Sequence, residues 1–274
     1  MSDLKPASLP SSSSLLNTKA PWVHTSVHAK RARIATNIDG ILPIDKPCGC
    51  SSYDVIRRLK YTIGFRKIGH AGTLDPLAMG LLLIVLGKAT KASQALMCGT
   101  KIYEGVIQLG VETTTYDREG EVTQTRPTEG ITEERIRTVL QSFIGDQYKQ
   151  PPVFSAKKIN GIPLYKLARK GQEPKTTPNF ITIFQCDLLS YDAPNLHLRV
   201  CCSKGTYIRS LAHDIGSKLN CGGHLAQLRR THSGNFSVDQ AVPLDALLEE
   251  PALLKKYLVT AKTTNGQSYL PVHR

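Results

Sequence analysis

Apolar side chains recur at helical spacing in three stretches of the chain. Val55, Ile56, Leu59 and Ile63 follow Ser51-Ser52-Tyr53-Asp54, a Ser with an acid three positions on, so the pattern predicts a capped helix that Gly64 ends. Thr132-Glu133-Glu134 opens a second helix, with Ile136, Val139, Leu140, Phe143 and Ile144 on one face and Gly145 as its stop. Ile208, Leu211, Ala212, Ile215 and Leu219 mark a third. Strand patterns lie between them at Ile102 to Leu109, Phe180 to Gln185 and Leu196 to Cys202, the last alternating apolar and polar. Helices and strands mix without regular βαβ spacing or an internal repeat. The expected class is α+β, with a largely antiparallel central sheet flanked by helices.

The pattern changes at both ends. The first 37 residues carry a Ser run (Ser11 to Ser14), scattered Lys and Arg, one acid and little periodicity. They read as a disordered basic arm, or as an organellar transit peptide, which shares that composition. No apolar stretch follows the charges, so a secretory signal is not expected. A cytoplasmic location is the first expectation, with an organelle as the alternative if the arm is a targeting segment. Residues 38–240 read as one compact unit, and 241–274 as a short tail too small for a complete further domain.

Charge sharpens this picture. The 274 residues hold 35 Lys+Arg and 22 Asp+Glu, a net of +13. Segments 56–70, 147–175 and 199–232 hold 18 of those cations and 2 of the acids, which leaves the rest of the chain at a net of −3. A clustered excess points to a polyanionic partner. The longest apolar run, Leu81 to Leu86, is far short of the roughly 20 residues that span a bilayer, so no membrane partner is expected. Seven Cys is an odd number in a chain too large to need staples. Cys48-Gly49-Cys50 and Cys201-Cys202 lack the spacer of a zinc knuckle, so no metal is expected. No Gly-Lys-Ser/Thr phosphate loop and no G-x-S-x-G elbow occurs.

The densest motif is Gly69-His70-Ala71-Gly72-Thr73-Leu74-Asp75-Pro76-Leu77-Ala78-Met79-Gly80. Two glycines around His70 suggest a tight loop, and Asp75-Pro76 has the form of an N-cap with Pro at the first helical position. The other reading presents Asp75 at a cleft as nucleophile or general base. Spacing alone leaves both open. Tyr103 begins a strand, where packing and base stacking are both possible roles. Ser203 to Arg209 joins a strand to a helix, so backbone N–H groups beside Lys204 form a candidate phosphate site. Arg209 is either a surface charge or the partner of an active-site carboxylate. Gln147 to Lys175, with Pro151 to Lys158, Tyr165, Arg169 and Lys170, is basic, interleaved with aromatics and aperiodic, which suits a lobe gripping a phosphate backbone.

Gly69 to Leu82, Asp45-Lys46-Pro47, Lys101-x-Tyr103, Pro151 to Lys158, Gly205 to Ser210 and Leu228-Arg229-Arg230 occur in the order seen in the TruB family. From about Asp39 to Val238 the chain resembles the bacterial-type tRNA pseudouridine-55 synthases of that family. The resemblance implies the pseudouridine synthase fold and a cofactor-free isomerase that converts one uridine in the TΨC loop of tRNA to pseudouridine. By motif position Asp75 is implied to attack the target nucleoside, Tyr103 to stack on the flipped base and Arg209 to pair with the carboxylate. His70 is implied to fill the vacated stack, Tyr207 and Leu228 to line the uracil pocket, and Lys46 and Pro47 to support the catalytic loop. Lys46 is grouped with Lys157, Lys204 and Arg230 as the cations expected on the substrate side. The insertion at 147–175 is implied to grip the T-arm directly, without a guide RNA, and a monomer is expected. The competing reading is a non-catalytic tRNA-binding chaperone on the same scaffold. It does not require Asp75, Tyr103 and Arg209 together.

Overall fold

A computed structural model describes residues 38–259, except 153, 156, 160, 169, 170 and 173–175. The N-terminal arm and the last 15 residues of the expected tail lie outside the described residues. The chain runs β1 (Gly40–Lys46), α1 (Ser52–Ile63), β2 (Ile68–Ala71), β3 (Met79–Leu86), α2 (Ser93–Cys98) and β4 (Lys101–Leu109). A small hairpin follows, β5 (Val111–Thr113) and β6 (Val122–Thr125), then α3 (Glu133–Gln141) and β7 (Gly145–Lys149). The basic insertion contributes β8 (Lys158–Ile159), β9 (Ile162–Pro163) and α4 (Leu164–Ala168). Long strands β10 (Asn179–Asp192) and β11 (Asn195–Cys202) precede α5 (Ile208–Lys218) and β12 (Gly223–Ser233). The described chain ends with β13 (Phe236–Ser237), β14 (Val242–Pro243), α6 (Leu244–Glu249) and α7 (Leu254–Tyr257).

One ten-stranded sheet organises the molecule, in the order β14-β1-β3-β12-β4-β11-β10-β7, with β2 on β3 and β13 on β12. Two pairings are parallel, β1 with β14 and β3 with β12, and the others are antiparallel. The sheet is therefore largely antiparallel, as the alternating strand patterns predict. The unbroken apolar run of β3 has a specific cause. Leu82, Ile84 and Leu86 enter the main core while Leu81, Leu83 and Val85 enter a second cluster with Ile41, Ala71, Leu96 and Phe236. Both faces of the strand are covered, so no polar position is needed.

The helix signals hold in detail. Ser51 caps α1 in a reciprocal capping box with Asp54, and Gly64 closes it at φ +89°. Thr132 caps α3. That helix ends at Ser142 rather than at Gly145, because the Phe143 and Ile144 amides bond back to Leu140 and Gln141 in a tightened final turn. Ile144 is left exposed and Gly145 opens β7 instead. Residues 241–259 are less of a tail than expected. Val242, Leu244, Leu247 and Leu254 are buried in the main core, and Val259 exchanges two 2.8 Å backbone hydrogen bonds with Ile41.

Gly80 shows how tightly β3 meets β12. It sits at φ +96°, and a Cβ there would lie 2.3 Å from the Arg230 carbonyl oxygen. Gly130, at φ +78°, has open space around it. Gly130→Ala should cost about 1 kcal/mol from backbone conformation alone. Gly80→Ala adds an unavoidable backbone clash and should cost at least about 3 kcal/mol. Urea unfolding of the two variants tests this, and equal losses would show that the β3–β12 approach yields.

Candidate active site

The loop from Gly72 to Ala78 joins β2 to β3, and its own side chains sort it. Leu74, Leu77 and Ala78 are buried, which turns the Asp75 carboxylate outward at 39% side-chain exposure. Backbone groups fix the rest. The Ser52 hydroxyl accepts from Leu74 N (2.9 Å) and lies 3.1 Å from Leu74 O. The Pro76 carbonyl accepts from Gly49 N (2.8 Å) and from Lys46 Nζ (3.4 Å), and Gly72 O accepts from Arg230 Nη2 (3.1 Å). No helix starts at Asp75-Pro76, contrary to the N-cap expectation. Ala78 N bonds to Asp75 O at 3.0 Å, closing one turn, and the chain then extends into β3. His70 is not in a tight loop either. It sits on strand β2 opposite Ile84, and the turn comes at Gly72 with φ +90°.

Arg209, in the first turn of α5, is 5% exposed and lies between two carboxylates. Its Nε donates to Asp75 Oδ2 at 2.9 Å, and its Nη1 lies 3.6 Å from Asp117 Oδ2. Nη1 also donates to Thr115 O (3.2 Å) and Nη2 to Phe154 O (2.8 Å). Asp117 is itself buried, accepting from the Thr115 hydroxyl (2.6 Å) and Glu119 N (3.0 Å). A guanidinium held at four points has little freedom, so the oxygen it grips on Asp75 is fixed in turn.

The Asp75 loop forms one wall of a cleft of about 690 Å³. Tyr103, Tyr207, Leu228, Arg209, Arg230, Lys157 and Lys204 also line it, so eight of the ten sequence-derived site residues meet there. Burial pushes the phenols of Tyr103 and Tyr207 above their ordinary value, which keeps both protonated. Lys157 is steered by Thr177 O (2.8 Å) and Asn179 Oδ1 (2.7 Å), and Lys204 reaches Cys98 Sγ at 3.2 Å.

Two of the expected substrate-side cations are placed otherwise. Lys46 is fully buried, donating to the carbonyls of Pro47 (2.8 Å) and Cys50 (2.7 Å) as well as Pro76, which is the loop-supporting place and not a cleft-facing one. Desolvation lowers its pKa. Arg230, 1% exposed, donates to Leu81 O (2.7 Å) and Gly72 O; it too organises the loop from behind. His70 lies outside the cleft lining, half-buried, with Nδ1 unpartnered and its pKa lowered by burial and then by Arg230.

Three residues escaped the sequence reading. Ser52 was hidden behind the cap at Ser51. Asp117 lies in an aperiodic turn that carries no spacing signal. Lys101 enters the sequence reading only as part of the Lys101-x-Tyr103 motif, with no role of its own, yet it is 5% exposed and donates to the Met97 and Gly99 carbonyls at the end of α2. Among the described residues no cluster of His, Cys, Asp and Glu is arranged to hold a metal, and all seven Cys are free thiols.

Lys101 gives a pH prediction. Burial, then Arg230, lowers its pKa from 10.5 to about 8. Between those values the unfolded chain binds a proton that the folded chain has released, so folding stability rises with pH across that window. The difference in unfolding free energy between the parent protein and Lys101→Met should therefore grow in the parent's favour from about pH 8 to 10.5. Urea titrations at the two ends of the window check the sign, and a flat difference would place the charge elsewhere.

Known proteins resemble this chain in sequence and in fold. Residues 60–208 match the TruB family pseudouridylate synthase N-terminal domain, and 209–266 match the tRNA pseudouridylate synthase B C-terminal domain. The junction between the two falls in the first turn of α5, between two strands of the same sheet. The tRNA pseudouridine synthase B of Opitutus terrae is 47% identical over 210 residues, covering 77% of this chain and 87% of that protein. That of Ralstonia nicotianae is 47% identical over 226 residues, covering 81% and 71%. Among solved structures, a Cbf5-Nop10-Gar1 complex aligns with TM-score 0.62 and 29% identity over 79% of this chain and 56% of the other. An H/ACA RNP bound to a substrate RNA containing 2'-deoxyuridine aligns with TM-score 0.59 and 27% identity, over 79% and 55%. With both domains matched in sequence and the pseudouridine synthase fold shared with solved relatives, the chain belongs to the TruB family of pseudouridylate synthases.

Proposed function

We propose that this protein is a tRNA pseudouridine synthase that isomerises uridine 55 in the TΨC loop, with Asp75 as its reactive group. The observation that carries the reading is the half-exposed Asp75 carboxylate, held through Oδ2 by the buried Arg209 at the wall of a cleft of about 690 Å³ lined by Tyr103 and Tyr207. The salt bridge fixes how the Asp75 carboxylate is presented to the cleft, as a positioned nucleophile requires. Curated relatives carrying the name tRNA pseudouridine synthase B support the substrate class.

The chemistry conserves atoms. The bond from the ribose C1′ to uracil N1 breaks and one from C1′ to C5 forms; N1 gains a proton and C5 loses one. No electron acceptor is required. Asp75 takes up the nucleoside while the uracil detaches, turns and rejoins. Arg209 keeps one carboxylate oxygen fixed, so Oδ1 is the atom available to the sugar. The target base must first leave its stack, at a cost of a few kcal/mol. Tyr103 would offset part of that by stacking, at about 1–3 kcal/mol per base. The neutral His70 ring, on the strand beside the catalytic loop, is proposed to occupy the gap left in the RNA. Lys157 and Lys204 at the rim, with the 147–175 insertion, would hold T-arm phosphates directly, with no guide RNA and one copy of the chain.

Asp75→Asn should lower pseudouridine formation on an unmodified tRNA transcript by at least roughly a thousandfold, as nucleophile deletions do elsewhere. Binding of the same transcript should stay near that of the parent. Residual turnover close to the parent rate would remove Asp75 from the chemistry and leave the chaperone reading. Tyr103 separates stacking from packing. Tyr103→Phe should retain most activity, while Tyr103→Ala should slow single-turnover conversion far more than it weakens binding. Parallel losses in the two quantities would assign Tyr103 to the core.

A further inference from the structure

Two aromatic rings at the sheet edge have no role in the scheme above. Tyr148 on β7 and Phe180 on β10 are directly opposed across the strand pair. Their centroids are 5.3 Å apart and their planes meet at 63°. A pair serving only to strengthen the edge would hide its faces, but Tyr148 is 73% exposed and Phe180 57%. Phe180 is also part of the wall of the cleft that holds Asp75, on the stretch that carries Lys204 and Lys157. Lys157 is fastened to Asn179, the residue before Phe180, so a cation and an exposed ring are set side by side at the rim.

We infer that Phe180, backed by Tyr148, is a stacking platform for a second nucleobase of the RNA, one adjacent to the target nucleotide. The inference rests on the reading of the cleft as a uridine-isomerising site. Extruding one base deprives its neighbour of a stacking partner, and that neighbour is confined near the rim by the same backbone. A π-face placed there recovers stacking for any base, while the rim lysines neutralise the phosphates on either side. The chemistry favours RNA over a protein partner because the platform is continuous with the cleft and flanked by cations. Phe184, also half exposed on β10 beyond the last β7 pairing, extends the apolar surface away from the cleft and is where a protein contact would register instead.

The test uses the full-length protein and a T-arm hairpin carrying 2-aminopurine at each loop position next to the target uridine. With the parent protein, one of these positions should change fluorescence on binding. Phe180→Ala should abolish that change and weaken hairpin affinity by roughly tenfold, and Phe180→Trp should restore both. Tyr148→Ala should give a smaller loss in the same direction. The salt dependence of affinity should be unaltered in Phe180→Ala, since no phosphate contact is removed, whereas Lys204→Ala should reduce its slope by about 0.7. Parent-like affinity and fluorescence in Phe180→Ala, with an unchanged melting temperature, would overturn the platform. So would a change in self-association by sedimentation with RNA affinity unaffected, which would make the surface a protein contact. The readouts are binding signals, so they stand or fall separately from pseudouridine formation. Phe180-dependent stacking in a protein that forms no pseudouridine would support the platform and overturn only the enzymatic reading.

Discussion

A guanidinium removed from water must be surrounded by acceptors, and the site is built around that requirement at Arg209. A buried cation with no partner would cost several kcal/mol. Here two carboxylates and two carbonyls, drawn from the β2–β3 loop, the turn after β5 and the insertion after β7, converge on it. Three segments distant in sequence are thereby fixed relative to α5. The constraint also shapes the chemistry. Asp117 is buried and shares its turn with its own hydrogen bonds, while Asp75 stays partly open. One carboxylate anchors the guanidinium from inside and the other is left to meet a substrate.

The loop that carries Asp75 is held by a second group of buried cations used in a different way. Lys46 and Arg230 donate to backbone carbonyls at Pro47, Cys50, Pro76, Leu81 and Gly72. Such charge-assisted bonds are stronger than neutral ones, and they suit a short irregular loop that lacks a ladder of its own. Glycine completes the design where backbones come close. At Gly72 a Cβ would press on the Arg230 guanidinium, and at Gly80 on the Arg230 backbone. The densest motif of the sequence is dense because three kinds of constraint overlap within it.

Much of the fold was legible because it is written in local rules. The cap at Ser51, the left-handed stop at Gly64 and the alternation of Leu196 to Cys202 each act within a few residues. The failures share a cause as well. Asp75-Pro76 has the form of a helix start, but the buried run from Leu81 to Leu86 needs an extended strand, and that demand overrides the local preference. His70 looks like a loop residue until β3 supplies the partner that makes it a strand. The family resemblance placed Asp75, Tyr103 and Arg209 together. Asp117 has no periodic neighbours, and only the folded chain brings it to Arg209.

The charge asymmetry also reads differently once the cations are located. Of the six Lys and Arg in segment 199–232, Arg209 and Arg230 are buried, Arg199 is paired with Glu104 and Arg229 with Asp45. Lys218 donates to Ser142, and Lys204 stands at the rim of the cleft. In this segment two cations assemble the site and two more are paired with acids, so little of the excess is left to attract a polyanion. Screening strengthens the distinction, because salt weakens exposed charges far more than buried ones. The long-range pull on an RNA must therefore come mainly from the other two clusters, 56–70 and 147–175, whose exposed side chains include Arg57, Arg66, Lys67 and Lys166. A single count of basic residues thus combines two physical roles, and burial is what separates them.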